Sequence, residues 1–455
     1  MQLPSSLIRS LQGLKGFDEE AFIREHQQGR PVTSVRLNPL KFNEAILFGE
    51  TLAERVPWSR LGFYLNKRPS FTFDPLFHAG GYYVQEASSM FLEQALLQTA
   101  NISRPLKVLD LCAAPGGKST HLQSLVSKES LIVSNEVIRS RANVLKDNLV
   151  KWGGSNVVVT NNDPKDFAKL GAYFDVIIAD APCSGSGLFK RDEAAIEEWS
   201  ENNVALCCQR QQRILADVLP ALKQDGILIY STCSYSPHED EEVADWLTGT
   251  FPIQSIPLHT EASWNVTEVV TKHNNYCYRF WPHLIKGEGF FTGVFKKTSS
   301  HHEVVLKNKS YVEKASAKDK ATIEKWVTPA EDLDFIKSQN TVYAWPRVHY
   351  NDMQFLLQNL RVIYSGTLTG ELVRDKLIPH HALAMSLIIN QQIAKTELEK
   401  EQAIAYLQKK GIRVSAERGW QLACYKNQPL GWMNVLPNRV NNYYPKELRI
   451  LKETP

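Results

Sequence analysis

Lys107-Val-Leu-Asp-Leu111 is a short apolar run, and the turn Cys112-Ala-Ala-Pro-Gly-Gly-Lys118 follows it directly. Outward from this stretch, β-rich apolar runs alternate with amphipathic, helix-forming segments. Such alternation indicates βαβ units and therefore a doubly wound, Rossmann-like parallel sheet of the α/β class. The pattern predicts strands at 107–111, 131–135, 156–160, 175–179, 226–232 and 289–295, and helices at 118–127, 138–152, 193–222 and 239–247.

The composition is that of a folded globular protein. The chain has 455 residues, of which 43% are hydrophobic and 22% charged, and this excludes a disordered or collagen-like chain. No apolar run approaches the roughly 18 residues of a membrane span, and the first residues lack the apolar core of a signal peptide. Seven cysteines, an odd number, favour reduced thiols over a disulfide framework. We therefore expect a cytoplasmic protein without membrane association, acting as a monomer.

The formal net charge of +3 hides an uneven distribution. Residues 1–70 carry +3, residues 71–300 carry −6 and residues 301–455 carry +6. Two interpretations stay open at this point. The charges can be scattered over solvated surfaces, or the basic flanks can attract a polyanion to an enzymatic core.

The turn after the first predicted strand indicates a nucleotide-like ligand. A phosphate-binding P-loop needs glycine where Cys112 stands, and Pro115 removes an amide that could bind phosphate. The dinucleotide fingerprint Gly-x-Gly-x-x-Gly is absent as well. An acidic residue, Glu136, follows twenty positions after Gly116 and can bind the ribose hydroxyls, while Asp163 follows the third strand near an adenine. This pattern suits an adenosine ligand without a pyrophosphate, such as S-adenosylmethionine.

Two cysteines come directly after two further strands. Asp180-Ala-Pro-Cys183 follows the fourth strand, and Ser231-Thr-Cys233 follows the fifth. Each cysteine can be a small buried residue, as most free cysteines are. Both can instead face the crevice at the carboxyl ends of the strands. The other cysteines, apart from Cys112 in the turn, have no chemical context.

Methyl transfer to carbon 5 of a pyrimidine gives a cysteine a chemical purpose. Carbon 5 of cytosine is too poor a nucleophile to attack a sulfonium methyl group. A thiolate that adds to carbon 6 makes carbon 5 nucleophilic and later leaves. Asp180 can hydrogen-bond the ring edge at N3 and the exocyclic amine. A second thiol can serve as a base or assist release, and the spacing alone does not order the two cysteines.

These motifs resemble the RNA cytosine-5 methyltransferase family, often called the Sun family, and within it the bacterial ribosomal RNA enzymes. The matching stretches are long and ordered, and the resemblance extends over nearly the full chain. It includes a C-terminal region similar to a PUA-like RNA-binding module. The stretches that carry it are 110–119, Gly81-Tyr-Tyr-Val-Gln-Glu-Ala-Ser-Ser-Met90, 180–185 with Gly187, 231–234, Gly431-Trp432 and Asn442-Tyr-Tyr-Pro-Lys446.

The resemblance implies a role for each motif. Cys233 would be the nucleophile, Cys183 would assist product release, and Asp180 would sit between cofactor and base. Glu136 would hold the ribose of S-adenosylmethionine and Asp163 the adenine side. Lining the methionine end of the cofactor would be Cys112, Ala113, Ala114, Pro115, Gly116, Gly117 and Lys118. No metal is implied, and His301 and His302 have no Cys or carboxylate at ligand spacing.

Four parts follow from these observations. We expect an α+β N-terminal RNA-binding region at 1–80, the methyltransferase core at 81–298, a linker and intermediate domain at 299–385, and the PUA-like module at 386–455. Because a paired cytosine hides carbon 6, the target must be single-stranded or flipped out, and cations must hold its phosphates. Candidate cations are Arg30, Arg36, Lys41, Lys67, Arg68, Lys190, Arg191, Lys296, Lys297, Arg439, Lys446 and Arg449.

The predicted function is formation of 5-methylcytosine in RNA, in first place the RNA of the small ribosomal subunit. Three alternatives remain. The same chemistry can act on transfer RNA, or the fold can serve as a non-catalytic RNA-binding or ribosome-assembly factor. A P-loop nucleotidase is the third, and the missing glycine at Cys112 argues against it.

Overall fold

The strands in the described part of the chain form four sheets. The structure is a computed structural model and describes residues 3–28, 32–41, 52–299 and 312–454. Within these ranges, none of the helices combines the length and the apolar character that crossing a lipid bilayer requires.

The N-terminal region combines helices with a small antiparallel sheet. Its strands are ordered β2–β3–β1–β4, where β1 is Ser34–Leu37, β2 is Leu52–Arg55, β3 is Gly62–Leu65 and β4 is Tyr82–Val84. The helices of this region and of the passage into the core are Ser5–Leu11, Glu19–Gln28, Pro75–His78 and Leu92–Thr99.

The centre of the molecule is a parallel sheet. Its five strands are ordered β9–β8–β5–β6–β7, and each pairs in parallel with its neighbours. Strands β6 and β7 lie on one side of β5, and β8 and β9 lie on the other, so the strand order reverses between β5 and β8. Ligands are therefore expected in the crevice at the carboxyl ends of β5 and β8. These strands are β5 (Lys107–Asp110), β6 (Leu131–Asn135), β7 (Val157–Thr160), β8 (Phe174–Asp180) and β9 (Leu222–Thr232).

Antiparallel strands complete one side of this sheet. The order β11–β12–β13–β9 extends it, and β10 pairs with β13. The added strands are β10 (Ile253–Ser255), β11 (Thr267–Val270), β12 (Tyr276–Phe280) and β13 (Phe290–Lys297). The helices of the core are Gly117–Leu125, Arg139–Trp152, Ala194–Glu198, Glu201–Val218 and Glu241–Thr250.

The predicted doubly wound core is confirmed, and its strands are buried on both faces. Neighbouring residues of one strand belong to two different apolar clusters, because side chains alternate along a strand. Leu109, Val133, Val158, Ile177 and Leu228 pack in one cluster, and Val108, Ile132, Val157, Ile178 and Ile229 pack in the other.

The prediction of one long helix at 193–222 was wrong. The chain forms two helices there, and the second begins after Ser200, whose hydroxyl accepts a hydrogen bond from the Asn203 amide at 3.1 Å. This is an N-cap, which fixes the start of a new helix. Strand β9 then begins at Leu222, four residues before the predicted Gly226.

The segment that follows the core builds a sheet of its own, the intermediate sheet, and also adds one strand to the core sheet. The intermediate sheet is ordered β14–β15–β16–β18–β19, while β17 pairs antiparallel with β7 and so forms the last strand of the core sheet. The strands are β14 (Glu313–Lys314), β15 (Leu333–Ser338), β16 (Thr341–Pro346), β17 (Val362–Ser365), β18 (Thr367–Val373) and β19 (Lys376–Pro379). The helices are Ala317–Ile323, Tyr350–Asn359 and His381–Met385.

The C-terminal module shares a core with the N-terminal sheet. Val35 and Phe63 of the N-terminal strands are buried in the same apolar cluster as Leu398, Tyr406 and Met433. The two ends of the chain therefore pack against each other. The module consists of β20 (Lys395–Glu397), β21 (Gly419–Tyr425), β22 (Gln428–Leu436), β23 (Arg439–Asn442) and the helix Lys400–Leu407.

Candidate active site

Two cysteines face each other where β8 and β9 end. Because these strands are parallel neighbours, their carboxyl ends bring Cys183 and Cys233 to the same edge of the sheet. The two Sγ atoms lie 3.0 Å apart, and both thiols are free and partly buried. The hydrogen bond to Cys233, together with burial, raises the pKa of the Cys183 thiol well above its ordinary value. Cys183 therefore keeps its proton at neutral pH.

The carboxylate of Asp180 is fixed at both oxygens. The Ser231 hydroxyl donates to Oδ1 at 2.7 Å, and the Lys118 ammonium lies 2.7 Å from Oδ2. Lys118 is the last residue of the glycine-bearing turn, so this ion pair connects the end of β8 to the turn after β5. Asp180 is 35% exposed at its side chain, which leaves room for it to accept a further donor.

The turn after β5 is held close to the crevice. Gly116 has φ +116°, a left-handed conformation that favours glycine, and it precedes the helix Gly117–Leu125. Arg141 donates to the carbonyl of Ala114 at 2.9 Å, and Asn148 donates to the carbonyl of Pro115 at 2.8 Å. These two bonds fix the backbone of the turn to the helix Arg139–Trp152.

Glu136 lies directly after β6 and is nearly buried. Its Oε1 accepts from the Ile138 amide at 2.8 Å, and its Oε2 lies 3.5 Å from the Arg141 guanidinium. The carboxylate is therefore oriented before any ligand binds, in the wall of the larger of two cavities.

Asp163 serves as the N-cap of the short 3₁₀ helix Pro164–Leu170. Its side chain accepts from the Lys165 amide at 3.2 Å and lies 3.6 Å from the Arg213 guanidinium. The residue of this loop that lines the larger cavity is its neighbour Pro164. Asp163 itself lines neither cavity, and it is connected to the wall of the larger one through Pro164 and Arg213.

Two adjoining cavities surround these residues. The larger measures about 610 Å³ and includes Glu136, Pro164 and Pro182 in its wall, and the smaller measures about 390 Å³. Cys183 lines the larger cavity, whereas Cys233 and Asp180 line both. The turn residues in the wall of the smaller cavity are Cys112, Ala113, Ala114, Pro115, Gly117 and Lys118, and Cys112 and Ala114 also line the larger one.

Several residues of the smaller cavity were not foreseen as site residues. Tyr83 and Gln85 belong to the stretch 81–90, which resembles the family without an assigned role, and Phe290 begins β13, where no motif marks it. Glu288 lies beside Phe290, and burial together with the Glu86 carboxylate raises the pKa of Glu288 to about 7. The Arg191 guanidinium lies 3.7 Å from the Glu288 carboxyl group, so a basic and an acidic side chain face each other in the wall of this cavity.

Three of the predicted phosphate-binding cations donate to groups of the protein interior, which corrects their assignment; Arg36 and Lys297 are buried, and Lys41 is half-buried. Arg36 is 0% exposed and donates to Gln85 and Thr120, at 2.8 and 2.6 Å. Lys41 donates to the carbonyls of Ala79 and Lys151, and Lys297 to those of Leu219 and Leu222. The local sequence identifies a cation but not the direction of its side chain. In this fold the three cations donate to oxygen atoms of the protein interior.

The remaining predicted cations differ in exposure and in ion pairing. Lys190 is buried in an ion pair with Glu25, and Lys296 pairs with Asp225. Arg30, like His301 and His302, lies outside the described residues. Exposed on the surface are Lys67, Arg68, Arg191, Arg439 and Lys446, and Arg449 is partly exposed.

The fold and the site define a class of protein. A doubly wound sheet with an adenosine-type turn after β5 and an acidic residue after β6 is the core of an S-adenosylmethionine-dependent methyltransferase. Solved structures agree with this core. A methyltransferase homologue protein from Pyrococcus horikoshii superposes with a TM-score of 0.53 at 29% identity, covering 65% of this chain and 100% of that one. NSun6 from Pyrococcus horikoshii with SFG has a TM-score of 0.54 at 18% identity, covers 65% and 99%, and shows the same fold.

This chain belongs to the RsmB/F family of 16S rRNA methyltransferases. Residues 96–296 match the family described as 16S rRNA methyltransferase RsmB/F. Residues 3–87 match the N-terminal domain of 16S rRNA methyltransferase RsmF, and residues 394–450 match the methyltransferase RsmF PUA domain. A protein named ribosomal RNA small subunit methyltransferase F from Vibrio parahaemolyticus is 30% identical over 98% of this chain and 97% of its own. The protein of that name from Psychromonas ingrahamii is 29% identical over the same shares.

Family membership confirms the predicted resemblance, the enzyme class and the cofactor. The chain is an S-adenosylmethionine-dependent RNA methyltransferase with a C-terminal PUA domain. A non-catalytic factor and a P-loop nucleotidase are both set aside by this result.

Proposed function

We propose that this enzyme methylates carbon 5 of a cytosine in the RNA of the small ribosomal subunit, with Cys233 as the nucleophile. The observation that carries the proposal is the position of the thiol pair at the junction of two cavities, beside Asp180. A site for an adenosine-type ligand on one side and for a pyrimidine on the other needs its nucleophile at such a junction. The ribosomal substrate is proposed from the relatives, which are named ribosomal RNA small subunit methyltransferase F.

Cys233 is the better placed of the two thiols to attack a base. It lines both cavities, whereas Cys183 lines only the larger one, where Glu136 lies. In the proposed step the Cys233 thiolate forms a bond to carbon 6 of cytosine, and the ring electrons move toward carbon 5. S-adenosylmethionine supplies an electrophilic methyl group when it is bound. The Asp180 carboxylate, held by Ser231 and Lys118, accepts a hydrogen bond from the exocyclic amine of the ring.

Cys183 has the properties of a group that assists release. Its protonated thiol lies 3.0 Å from the Cys233 sulfur. When carbon 5 loses its proton to a base, the electrons re-form the ring double bond and Cys233 leaves as a thiolate. A hydrogen bond from the Cys183 thiol stabilises that thiolate as it departs.

The cofactor residues are proposed by position. Glu136 would bind the ribose in the larger cavity, Asp163 would lie at its adenine rim, and the turn 112–118 would contact the methionine end. Isothermal titration of S-adenosylmethionine into Glu136→Ala tests this, since the variant should bind the cofactor more weakly while ATP binds neither protein.

Methylation of RNA tests the reaction itself. Labelled S-adenosylmethionine is supplied with small ribosomal subunits, naked small-subunit RNA or transfer RNA, and bisulfite sequencing then locates the product. Incorporation into small-subunit RNA with conversion-resistant cytosines is expected. Incorporation only into transfer RNA would support the same chemistry on the alternative substrate.

The outer parts of the chain are proposed to hold the RNA. Exposed cations in the N-terminal region (1–80) and in the PUA domain (386–455) flank the core (81–298), with an intermediate domain (299–385) between core and PUA domain. We also propose that the enzyme acts as a monomer in the cytoplasm. Light scattering of the purified protein at micromolar concentration tests the oligomeric state.

A further inference from the structure

We infer that Glu239 is a positioning residue that fixes the two cysteine loops relative to each other, and the inference rests on the proposed roles of Cys233 and Cys183. Glu239 lies six residues after Cys233, just before the helix Glu241–Thr250. Its side chain is buried (0% exposed), and Glu239 lines neither of the two cavities. Any effect on the reaction must therefore pass through other residues.

The Glu239 carboxylate binds the residue that follows each cysteine. Oε2 accepts from the hydroxyls of Ser184 and Ser234, at 2.5 and 2.6 Å. Oε1 accepts from the Ser184 backbone amide at 2.7 Å. Ser184 follows Cys183 and Ser234 follows Cys233, so a single carboxylate joins the two loops directly behind the thiols.

A second bond extends this clamp to the residue before Cys183. The Gln211 amide, itself 0% exposed, donates to Oε1 of Glu239 at 3.3 Å and to the Pro182 carbonyl at 3.1 Å. Pro182 and Ser184, on both sides of Cys183, are thus tied to Glu239 or to its partner. The helix Glu201–Val218, which carries Gln211, anchors the arrangement to the core.

The chemistry of the donor set requires a carboxylate at this position. Every group that faces Glu239 in these bonds is used as a donor, and a carboxylate offers two acceptor oxygens and no hydrogen. A glutamine would turn an NH₂ group toward either the N–H donors at Oε1 or the two serine hydroxyls at Oε2, and in the second case the hydroxyl hydrogens would lose their carboxylate acceptor in a buried place. Because the clamp holds the residue after each cysteine, the 3.0 Å contact between the thiols should open when the clamp is lost.

The inference makes Glu239 act on release in the same way as Cys183. Without the clamp, Cys183 moves away from the departing sulfur, so the covalent bond between Cys233 and RNA should persist. Loss of a merely structural carboxylate would lower stability without raising the amount of this adduct. The two possibilities are thus separated by the amount of covalent RNA–protein adduct during turnover.

The test compares Glu239→Gln with Glu93→Gln in the full-length enzyme. Glu93 is the control, since it is also 0% exposed and accepts from a serine hydroxyl (Ser59) and a backbone amide (Arg60), but its bonds lead to Arg60 and His121 instead of the cysteine loops, and it lines neither cavity. For each variant, kcat, the KM for S-adenosylmethionine, the melting temperature and the adduct on a denaturing gel are measured with small-subunit RNA. Glu239→Asp and Ser184→Ala serve as milder variants should Glu239→Gln fold poorly.

We expect kcat of Glu239→Gln to fall at least tenfold while the KM for the cofactor stays within twofold. Its adduct should rise toward that of Cys183→Ala, and Glu93→Gln should show the adduct level of the unsubstituted enzyme. Unchanged kcat, or a loss of kcat with no more adduct than Glu93→Gln, overturns the inference. RNA containing 5-fluorocytidine, which blocks the final elimination, is the check on the proposed function. If the unsubstituted enzyme forms no adduct with it, both the proposed function and this inference fail.

Discussion

At the scale of single residues, the two thiols differ in their surroundings although each follows a strand. Cys233 reaches both cavities, and Cys183 holds its proton beside it. We expect Cys233→Ala to lose methyl transfer down to the background rate, because carbon 6 then has no nucleophile, while cofactor affinity changes little. Labelled methyl incorporation and cofactor titration measure the two quantities. Appreciable residual turnover would contradict the assignment of the nucleophile.

Cys183→Ala should leave the enzyme covalently attached to its RNA. The Cys233 sulfur would still add to the base, but it would leave without the hydrogen bond that stabilises it. A slower-migrating RNA–protein band should therefore accumulate under denaturing conditions. The double variant Cys183→Ala with Cys233→Ala is the control, since it should form no such band. Absence of the band from the single variant would argue against a role in release.

Asp110 gives the protein a pH-dependent stability. Burial raises the pKa of this carboxyl group from its ordinary value of 3.8 to about 7, against the hydrogen bond from Ser119 at 2.6 Å. Between pH 3.8 and about 7 the folded protein therefore keeps a proton on Asp110 that the unfolded chain has lost. The stabilisation of the folded state by this proton is fully present below about pH 4 and is lost as the pH rises to 7. Each pH unit in this window costs up to about 1.4 kcal/mol. Urea unfolding of Asp110→Asn should show a flatter dependence between pH 4 and 7.

At the scale of elements, the loops after β8 and β9 touch each other through glycine. A Cβ at Gly187 would lie 2.5 Å from the Gly289 carbonyl oxygen and 2.7 Å from the Cys233 carbonyl oxygen. Gly187→Ala must therefore displace backbone next to the nucleophile. We expect a stability loss of about 1–3 kcal/mol and a larger proportional loss of kcat. Thermal melting and methylation assays check this, and Gly411→Ala, whose Cβ would meet nothing within 4 Å and whose backbone is not in the left-handed region, is the spatial control.

The sequence predicted the parallel strands within a few residues, because a buried strand bounded by turn residues is a local pattern. It also predicted which motif follows which strand. Strand β17 was not predicted, since its place beside β7 depends on pairing between residues some two hundred positions apart. Its local pattern, Val362-Ile-Tyr-Ser365, does not differ from that of a strand in the intermediate sheet. The break at Ser200 was missed for another reason, because an N-cap inside a long polar stretch is a weak signal.

At the scale of the whole molecule, the shared core of the N-terminal sheet and the PUA domain changes how the RNA-binding role can be tested. Removing residues 386–455 would expose Val35 and Phe63, which pack against that domain. We expect the truncated protein to bind RNA more weakly than the full chain and also to melt at a lower temperature. Cofactor affinity should change least. Equal RNA affinity of the two proteins would contradict the role of the domain.

Surface substitutions separate RNA binding from folding. Arg439 and Lys446 are exposed, so Arg439→Ala and Lys446→Ala should leave the melting temperature unchanged. If each cation contacts a phosphate, each variant lowers the slope of log affinity against log salt by about 0.7 for single-stranded RNA. Filter binding at several salt concentrations measures the slope. Lys376→Ala, an exposed cation on the intermediate sheet, is the matched control.

The sequence by itself determined the α/β core, the order of its motifs and the chemistry that those motifs support, because strand and turn preferences are local. Only the tertiary structure decided that the two thiols lie 3.0 Å apart, and that Glu239 lies behind both. It also decided that Arg36, Lys41 and Lys297 point inward rather than toward RNA. The physical reason is that separations and burial depend on packing between segments distant in the chain, which a local pattern does not specify.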